Sequence, residues 1–113
     1  MVEIVVYPSV KEKIRRNLSY TKHKFGEIAT IRWNKEFSKV LLRLSNHPES
    51  SPIEEDLKNY EGNYRSTVIR KIFKLIYRFD KTENKVFIVD LWDARMSLEN
   101  RIFGFQNTKI EHE

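Results

Sequence analysis

The chain of 113 residues carries 21 lysines and arginines against 16 acidic residues, a net charge of +5, and it contains no cysteine. Its length and its 40% hydrophobic content are typical of one folded domain with one core,, and the lack of cysteine excludes disulfides and thiolate chemistry. No apolar run approaches the roughly 20 residues that cross a bilayer, so we predict a cytoplasmic protein with a single domain over residues 1–113.

The chain begins with a predicted strand and a predicted helix. Residues Val2–Tyr7 are mostly β-branched or aromatic, which favours a strand,. Ser9 and Glu12 have the spacing of a capping box, so we expect a helix to start there and to end at Gly26 as its C-cap,. Its apolar stripe consists of Val10, Ile14, Leu18, Thr21 and Phe25,.

A second helix is predicted over Glu27–Ser45, where apolar residues recur at helical spacing,. Only a glycine turn separates it from the first helix, so the two should form an antiparallel hairpin. The following segment, His47–Gly62, is rich in proline, serine and acid, which indicates a loop,. Ile53 and Leu57 are its possible anchors.

Three strands are predicted in the second half, over Tyr64–Arg70, Phe73–Phe79 and Lys85–Trp92,. Beyond them we expect a short helix over Ser97–Phe103 and a flexible tail over residues 104–113,. The predicted order is therefore β-α-α-β-β-β. This order indicates an α+β fold in which a helical hairpin packs on one face of a small, mostly antiparallel sheet.

Side-chain alternation assigns faces to the predicted strands. In the middle strand the apolar face consists of Phe73, Leu75, Tyr77 and Phe79. In the last strand we expect Phe87, Val89 and Leu91 on one face, opposite Val86, Ile88, Asp90 and Trp92. The sheet face away from the helices is predicted to stay open and cationic, with Arg65, Thr67, Lys74, Arg78 and Arg95.

Several kinds of catalytic or cofactor site lack support in the sequence. The histidines at positions 23, 47 and 112 have no metal-binding spacing, and three glycines are too few for a phosphate-binding loop,. We therefore expect no metal and no cofactor. No pattern of a nucleophilic triad is present either.

Positive charge is concentrated in two segments. Residues 1–47 hold ten Lys and Arg against four acidic residues, and residues 63–80 hold five against one. This excess could attract an acidic partner or nucleic acid, or could simply solvate surface helices. On the sheet, the same cations could stabilise charge at phosphorus while an RNA 2′-hydroxyl attacks, although such clusters also occur on any solvated sheet face.

The stretch "YRSTVIRKIFKLIYRFDKTENKVFIVDLWDAR" resembles the carboxy-terminal half of the RelE/ParE toxin superfamily, the toxins of bacterial type II toxin–antitoxin modules. Three features carry the resemblance: the pair Tyr64 and Arg65 that opens a strand, the strand "KLIYRFD", and the strand "VFIVDLWDAR" that ends in Arg95. The helical hairpin followed by "HPESSP" is similar to the ParE-like branch. The resemblance covers about residues 2–100.

The resemblance implies a small toxin that a cognate antitoxin neutralises. RelE-like members bind the ribosome and cut mRNA through attack by a 2′-hydroxyl, whereas ParE-like members inhibit DNA gyrase. Carried over by position, the RelE-type catalytic residues would be Arg65, Lys74 and Arg95. Independently of the resemblance, we expect no membrane association, because no apolar run is long enough to cross a bilayer, and no small-molecule cofactor, because no cofactor-binding motif is present,.

Two positions depart from the RelE pattern. Thr67 stands where a second lysine is expected, and Arg101 stands near the position of a catalytic tyrosine. Phe103 lies close by but has no ionisable hydroxyl, so it cannot transfer a proton. These departures favour the ParE-like, gyrase-directed branch, with the ribosome-dependent endoribonuclease and a non-toxic binding module of the same fold as alternatives.

Overall fold

The structure, a computed structural model, describes the backbone of residues 1–112 and the side chains of residues 1–107. Its elements are β1 (Glu3–Val6), α1 (Pro8–Phe25), α2 (Glu27–Asn46), a 3-10 turn (Glu55–Leu57), β2 (Arg65–Ile69), β3 (Phe73–Asp80), β4 (Lys85–Asp93) and α3 (Leu98–His112). The predicted β-α-α-β-β-β order is confirmed, with one further helix after it. In the described part of the chain, no helix is both long and apolar enough to cross a membrane.

The four strands form one sheet in the order β1-β4-β3-β2. The pairs β2–β3 and β3–β4 are antiparallel, while β1 runs parallel to β4. The sheet is therefore mostly antiparallel, as predicted. Its first and last strands in the sequence lie side by side.

The start of α1 differs from the prediction. The helix begins at Pro8, whose fixed φ suits the first helical position, and Tyr7 precedes it as N-cap without a side-chain hydrogen bond,. The Ser9 hydroxyl is buried and has no hydrogen-bond partner within the described residues. Glu12 accepts instead from Arg15, at 2.6 Å. The predicted capping box is therefore wrong, because the proline already fixes the start of the helix.

Gly26 joins the two helices as predicted. Its φ of +87° is in the range that favours glycine, and its N–H donates to the Lys22 carbonyl at 3.0 Å,. The same residue is the N-cap of α2. A single residue thus reverses the chain and sets α1 against α2.

The main core lies between the helical hairpin and one face of the sheet. Its buried residues are Val10, Trp33, Val40 and Leu44 from the helices and Ile69, Phe73, Leu75, Tyr77, Val86, Ile88 and Leu91 from the strands. Each large apolar side chain that is fully buried contributes roughly 1.5–3 kcal/mol relative to exposure. The predicted apolar face of β3 is confirmed.

A β-bulge interrupts β4 at Val89. Ile76 pairs with Asp90 across the β3–β4 ladder, but the next residue, Tyr77, pairs with Ile88. Val89 is therefore an extra residue in β4, and a bulge of this kind inverts the side-chain alternation beyond it.

The bulge corrects the predicted faces of β4. Leu91 belongs to the main core on the hairpin side, whereas Trp92 lies on the opposite face with Val89. The prediction that places Leu91 beside Val89 is wrong. Strict alternation fails here because the strand contains one more residue than its partner.

The opposite face of the sheet carries a second core. It consists of Leu57, Tyr64, Ile76, Val89, Trp92 and Phe105. Phe105 belongs to α3 and is 1% exposed, with its ring 4.9 Å from that of Tyr64. The predicted open face is therefore partly covered, by α3 and by the 3-10 turn.

The helix α3 also corrects the predicted tail. It continues through Gly104 as far as His112, where a flexible tail over residues 104–113 was expected. The burial of Phe105 explains the continuation, because the helix must pass Gly104 to bring this ring onto the sheet. Residue 113 lies outside the described part of the chain.

Candidate functional site

The two basic or polar positions predicted at the start of β2 lie on the hairpin side of the sheet. Arg65 pairs with Tyr77, and Thr67 pairs with Leu75. Directly paired residues share a face, so Arg65 and Thr67 face the same side as the main core. The prediction that places them beside Lys74 is wrong, by a shift of one residue in the alternation.

Arg65 is held by the loop that follows α2. Its guanidinium donates to the Ser51 carbonyl oxygen at 2.7 Å and lies 3.8 Å from a Glu49 carboxylate oxygen. Thr67 is almost buried and accepts a hydrogen bond from Arg43 at 2.6 Å. Arg65 therefore stabilises the contact between β2 and this loop, and Thr67 stabilises the contact between β2 and α2.

Lys74 lies on the other face and forms an ion pair with a buried acid. Its Nζ atom is 2.7 Å from Glu54 Oε1, and Glu54 is only 2% exposed. The same carboxylate accepts from the Ser66 hydroxyl and from the Asp56 N–H, both at 3.0 Å. Glu54 lies in a segment predicted as a loop, so local sequence patterns do not assign it as the partner of Lys74.

The surroundings of Glu54 favour its charged form. Burial raises the pKa of this carboxyl, but the hydrogen bonds from Lys74, Asp56 and Ser66 outweigh burial and lower the pKa below its usual value,. A carboxylate with a lowered pKa is a weak base. Glu54 is therefore suited to hold Lys74 in place.

Arg95 follows β4 and binds its neighbour two residues earlier. Its Nε and Nη2 atoms donate to the two Asp93 oxygens at 2.9 and 2.7 Å. This fork lowers the pKa of Asp93,. The Arg95 side chain is 64% exposed, so this pair lies at the surface.

The predicted catalytic residues therefore do not converge. Arg65 and Lys74 are on opposite faces of the sheet, and Arg65, Lys74 and Arg95 each contact a different carboxylate. Phe103 is 65% exposed on α3. The catalytic role of Arg65, Lys74 and Arg95 stays a prediction. Within the described residues, no cluster of His, Asp and Glu side chains has the composition to hold a metal ion.

Unpaired positive charge lies instead on the helical hairpin. Within the described residues, seven exposed cations of α1 and α2 have no carboxylate within 4 Å. Arg43 donates to the Ser51 and Thr67 hydroxyls, and the other six are Lys11, Lys22, Lys24, Arg32, Lys35 and Lys39. Five large apolar side chains of the same two helices are also exposed: Tyr20, Phe25, Ile28, Ile31 and Leu42. We call these five residues and the six cations other than Arg43 the hairpin surface. The excess of Lys and Arg over acidic residues in residues 1–47 indicated the positive charge of this surface.

A cationic surface with exposed apolar residues can accept a partner. Contiguous apolar groups on a soluble domain commonly mark a protein contact, and the surrounding lysines would favour an acidic one. On α2, Ile28, Ile31 and Leu42 fall within about 60° of one another around the helix axis. They therefore lie on one narrow side of α2, which Lys35 shares between Ile31 and Leu42,.

Comparison with known proteins gives one family and a set of similar folds. A family model described as the ParE toxin of the type II toxin–antitoxin system parDE matches residues 4–98. No curated protein sequence matches the chain significantly.

Three solved structures illustrate the likeness in fold. A metal-bound toxin from Helicobacter pylori is 21% identical, with a TM-score of 0.58, over 82% of this chain and 94% of that chain. The isolated E. coli RelE toxin is 14% identical, with a TM-score of 0.57, over 97% of this chain and 99% of that chain. A chain of the intact E. coli RelBE toxin–antitoxin complex is 14% identical, with a TM-score of 0.56, over 85% and 100%.

Proposed function

Because the chain belongs to the ParE family of toxins from type II toxin–antitoxin systems, we propose that it inhibits DNA gyrase and that a cognate antitoxin neutralises it. The family match confirms the resemblance carried by "KLIYRFD" and "VFIVDLWDAR". The family and the fold are compatible with two targets, DNA gyrase and the ribosome.

The observation that carries the choice of gyrase is the separation of the three predicted catalytic cations. A site that stabilises charge on a phosphate must aim its donors at one point. Arg65 and Lys74 point to opposite faces of the sheet, and each is engaged by its own carboxylate. This arrangement supports a toxin that acts by binding.

Proton transfer also lacks suitable groups around these cations. Lys74 is paired with Glu54, whose lowered pKa makes it a poor general base at neutral pH,. On α3, Arg101 and Phe103 occupy the region where the resemblance implies a catalytic tyrosine. Neither side chain transfers a proton near neutral pH.

The second candidate is a ribosome-dependent mRNA endoribonuclease. The observation in its favour is the likeness in fold to the E. coli RelE toxin, which extends over 97% of this chain. In this case Arg65, Lys74 and Arg95 remain the predicted catalytic residues, but Arg65 and Lys74 lie on opposite faces of the sheet and would not contact the same phosphate. A non-toxic binding module of the same fold is the third possibility.

For the antitoxin we propose an acidic amphipathic helix that contacts the hairpin surface. The six unpaired cations there would attract it, and Ile28, Ile31 and Leu42 of α2 would provide buried contact area,. Association should slow as salt rises, because the charges are exposed and screened.

Two assays on the purified protein separate the possible targets. In the first, gyrase supercoils relaxed plasmid in the presence of the chain, and we expect supercoiling to be blocked. In the second, translating ribosomes and a defined message are mixed with the chain, and we expect the message to stay intact. Cleavage that disappears in Arg95→Ala would instead establish the endoribonuclease.

The third possibility has its own signature. A chain that affects neither gyrase nor message, yet binds the co-encoded acidic protein tightly, would be a binding module. The contact surface is tested with the double variant Lys35→Gln/Lys39→Gln against the matched control Lys58→Gln/Lys85→Gln. The control also removes two charges, but Lys58 and Lys85 lie outside the hairpin and already face Glu55 and Glu3. Only the hairpin variant should slow association.

A further inference from the structure

A cleft separates α1 from α3 at the end of β4. Its volume is about 220 Å³, which exceeds the volume of a single water by several-fold. Its walls include Arg16 and Asn17 from α1 and Asn100 and Arg101 from α3, with Trp92 and Met96 on the apolar side. None of these residues belongs to the hairpin surface or to the set Arg65, Lys74 and Arg95.

Arg101 has an unused donor in this cleft. Its Nε atom is buried and has no hydrogen-bond partner within the described residues, and its guanidinium has no carboxylate within 4 Å there. The guanidinium carbon lies 5.4 Å from the centre of the Trp92 ring, which holds the group near the ring face. A buried N–H without an acceptor is unfavourable, so a small rotation of the Arg101 side chain that brings Nε to an acceptor in the cleft would be favourable.

Hydrogen bonds hold the Trp92 ring, which lies next to the Arg101 guanidinium. The Trp92 Nε1–H donates to Asp90 Oδ2 at 2.9 Å, and Asp90 is fully buried. The other oxygen of Asp90 accepts from Lys13 Nζ at 2.5 Å. Through this chain of contacts α1 and the bulged part of β4 fix the ring on which Arg101 rests.

The charge balance of the cleft favours an anion. Asp90 is compensated by Lys13, and Asp93 is compensated by Arg95. Arg16 uses its Nε for Glu12 at 3.1 Å and makes no other hydrogen bond within the described residues. The guanidinium groups of Arg101 and Arg16 therefore remain as donors, one from each wall.

We propose that this cleft binds a phosphate monoester. A phosphate monoester carries a charge of about −2 and three terminal oxygens, so it can receive donors from both walls and balance both arginines, whereas a carboxylate carries a single charge. The apolar side of the cleft at Trp92 and Met96 would contact the organic body of the ester. The phosphate would belong either to a free nucleotide or to the 5′ end of a nucleic acid, and the inference does not depend on the target of the toxin.

The two tryptophans of the chain provide the readout. In a ¹H–¹⁵N spectrum each indole gives one Nε1–H signal; Trp92 lines the cleft, while Trp33 is buried in the main core on the other side of the sheet. On titration with adenosine 5′-monophosphate we expect the Trp92 signal to move and to saturate. The Trp33 signal should stay in place and serves as the internal reference.

The ligand series identifies the chemistry and its source. Adenosine should leave Trp92 unmoved, and inorganic phosphate should bind more weakly than the nucleotide. A 5′-phosphorylated trinucleotide that binds at least as tightly as the mononucleotide assigns the site to nucleic-acid ends, and weaker binding assigns it to free nucleotides. Equal shifts with adenosine and its monophosphate, or a preference for an acidic peptide, would overturn the proposal.

The matched variants are Arg101→Gln and Arg32→Gln, which remove the same charge; Arg32 is exposed on α2 and does not line the cleft. We expect Arg101→Gln to weaken nucleotide binding by about tenfold or more, as for loss of a charged hydrogen-bond donor, and Arg32→Gln to leave it within about twofold. If Arg101→Gln fails to fold, Arg16→Gln takes its place, with weaker binding again expected. Unchanged binding in the folded variant refutes the site.

Discussion

Outside the apolar core, Asp90 of β4 forms an ion pair with Lys13 of the helical hairpin. This carboxylate is fully buried and accepts from Lys13 Nζ at 2.5 Å, from the Leu91 N–H at 2.8 Å and from the Trp92 Nε1–H at 2.9 Å. The substitution Asp90→Asn keeps the shape but replaces one acceptor oxygen by an NH₂ group. At least one of the three donors then faces another donor.

The expected loss of stability follows from these contacts. Breaking a buried ion pair by removal of one partner costs about 3–5 kcal/mol, but the Lys13 side chain is 37% exposed and can be hydrated again. One orphaned buried donor costs about 1–3 kcal/mol. We therefore expect Asp90→Asn to lower the free energy of unfolding by about 2–3 kcal/mol.

Urea denaturation measures this loss. With a urea slope of about 1–3 kcal/mol per molar, the midpoint should fall by about 0.7–3 M. The matched control is Asp93→Asn, because Asp93 pairs with an exposed arginine and its loss should cost less than about 1 kcal/mol,. In a double-mutant cycle, Lys13→Met should add little to Asp90→Asn. Equal costs for the two Asp variants, or additive costs in the cycle, would refute this account.

Two further predictions concern the opposite face of the sheet. The folded-state pKa of Glu54 is lowered. The stability that ionised Glu54 contributes is therefore present above the ordinary glutamate pKa of 4.5 and is lost as pH falls through the folded-state pKa,. Glu54→Gln should reduce the free energy of unfolding at pH 7 and weaken its decrease in acid, which urea midpoints measured from pH 7 to pH 3 will test. A variant that keeps the acid slope of the wild type would contradict this. Phe105→Ala should cost about 3–5 kcal/mol and speed amide exchange throughout α3, because Phe105 is 1% exposed. Phe103→Ala, at a position 65% exposed, should cost less than about 0.5 kcal/mol,, and equal effects of the two variants would argue against docking through Phe105.

Local sequence patterns predicted the elements well and the faces of two strands poorly. The hairpin could be read from helical spacing and from Gly26, which has the positive φ that its place requires. In β4, residues on both faces are apolar, so alternation gives no sign of the extra residue at Val89. Only the pairing with β3 reveals it, and this pairing is a tertiary property.

The errors at the candidate site have the same origin. Arg65 is the first residue of β2, whose two faces are both partly covered, so the direction of its side chain could not be assigned without knowing the partner residue Tyr77. The carboxylates that hold the cations lie in loops or next to the strand ends, at Glu49, Glu54 and Asp93. The number of cations could be counted from the sequence, but the acids that neutralise them could not be assigned.

The parallel pairing of β1 with β4 constrains the order in which the molecule can fold. Glu3 is opposite Lys85 and Val6 is opposite Ile88, so closing this ladder joins segments separated by about three quarters of the chain. The hairpin of helices and the β2–β3–β4 meander involve near neighbours and can form early. β1 can therefore pair with β4 only after nearly all the other elements have formed. Until then the edge of β4 is open to pairing with any other extended segment.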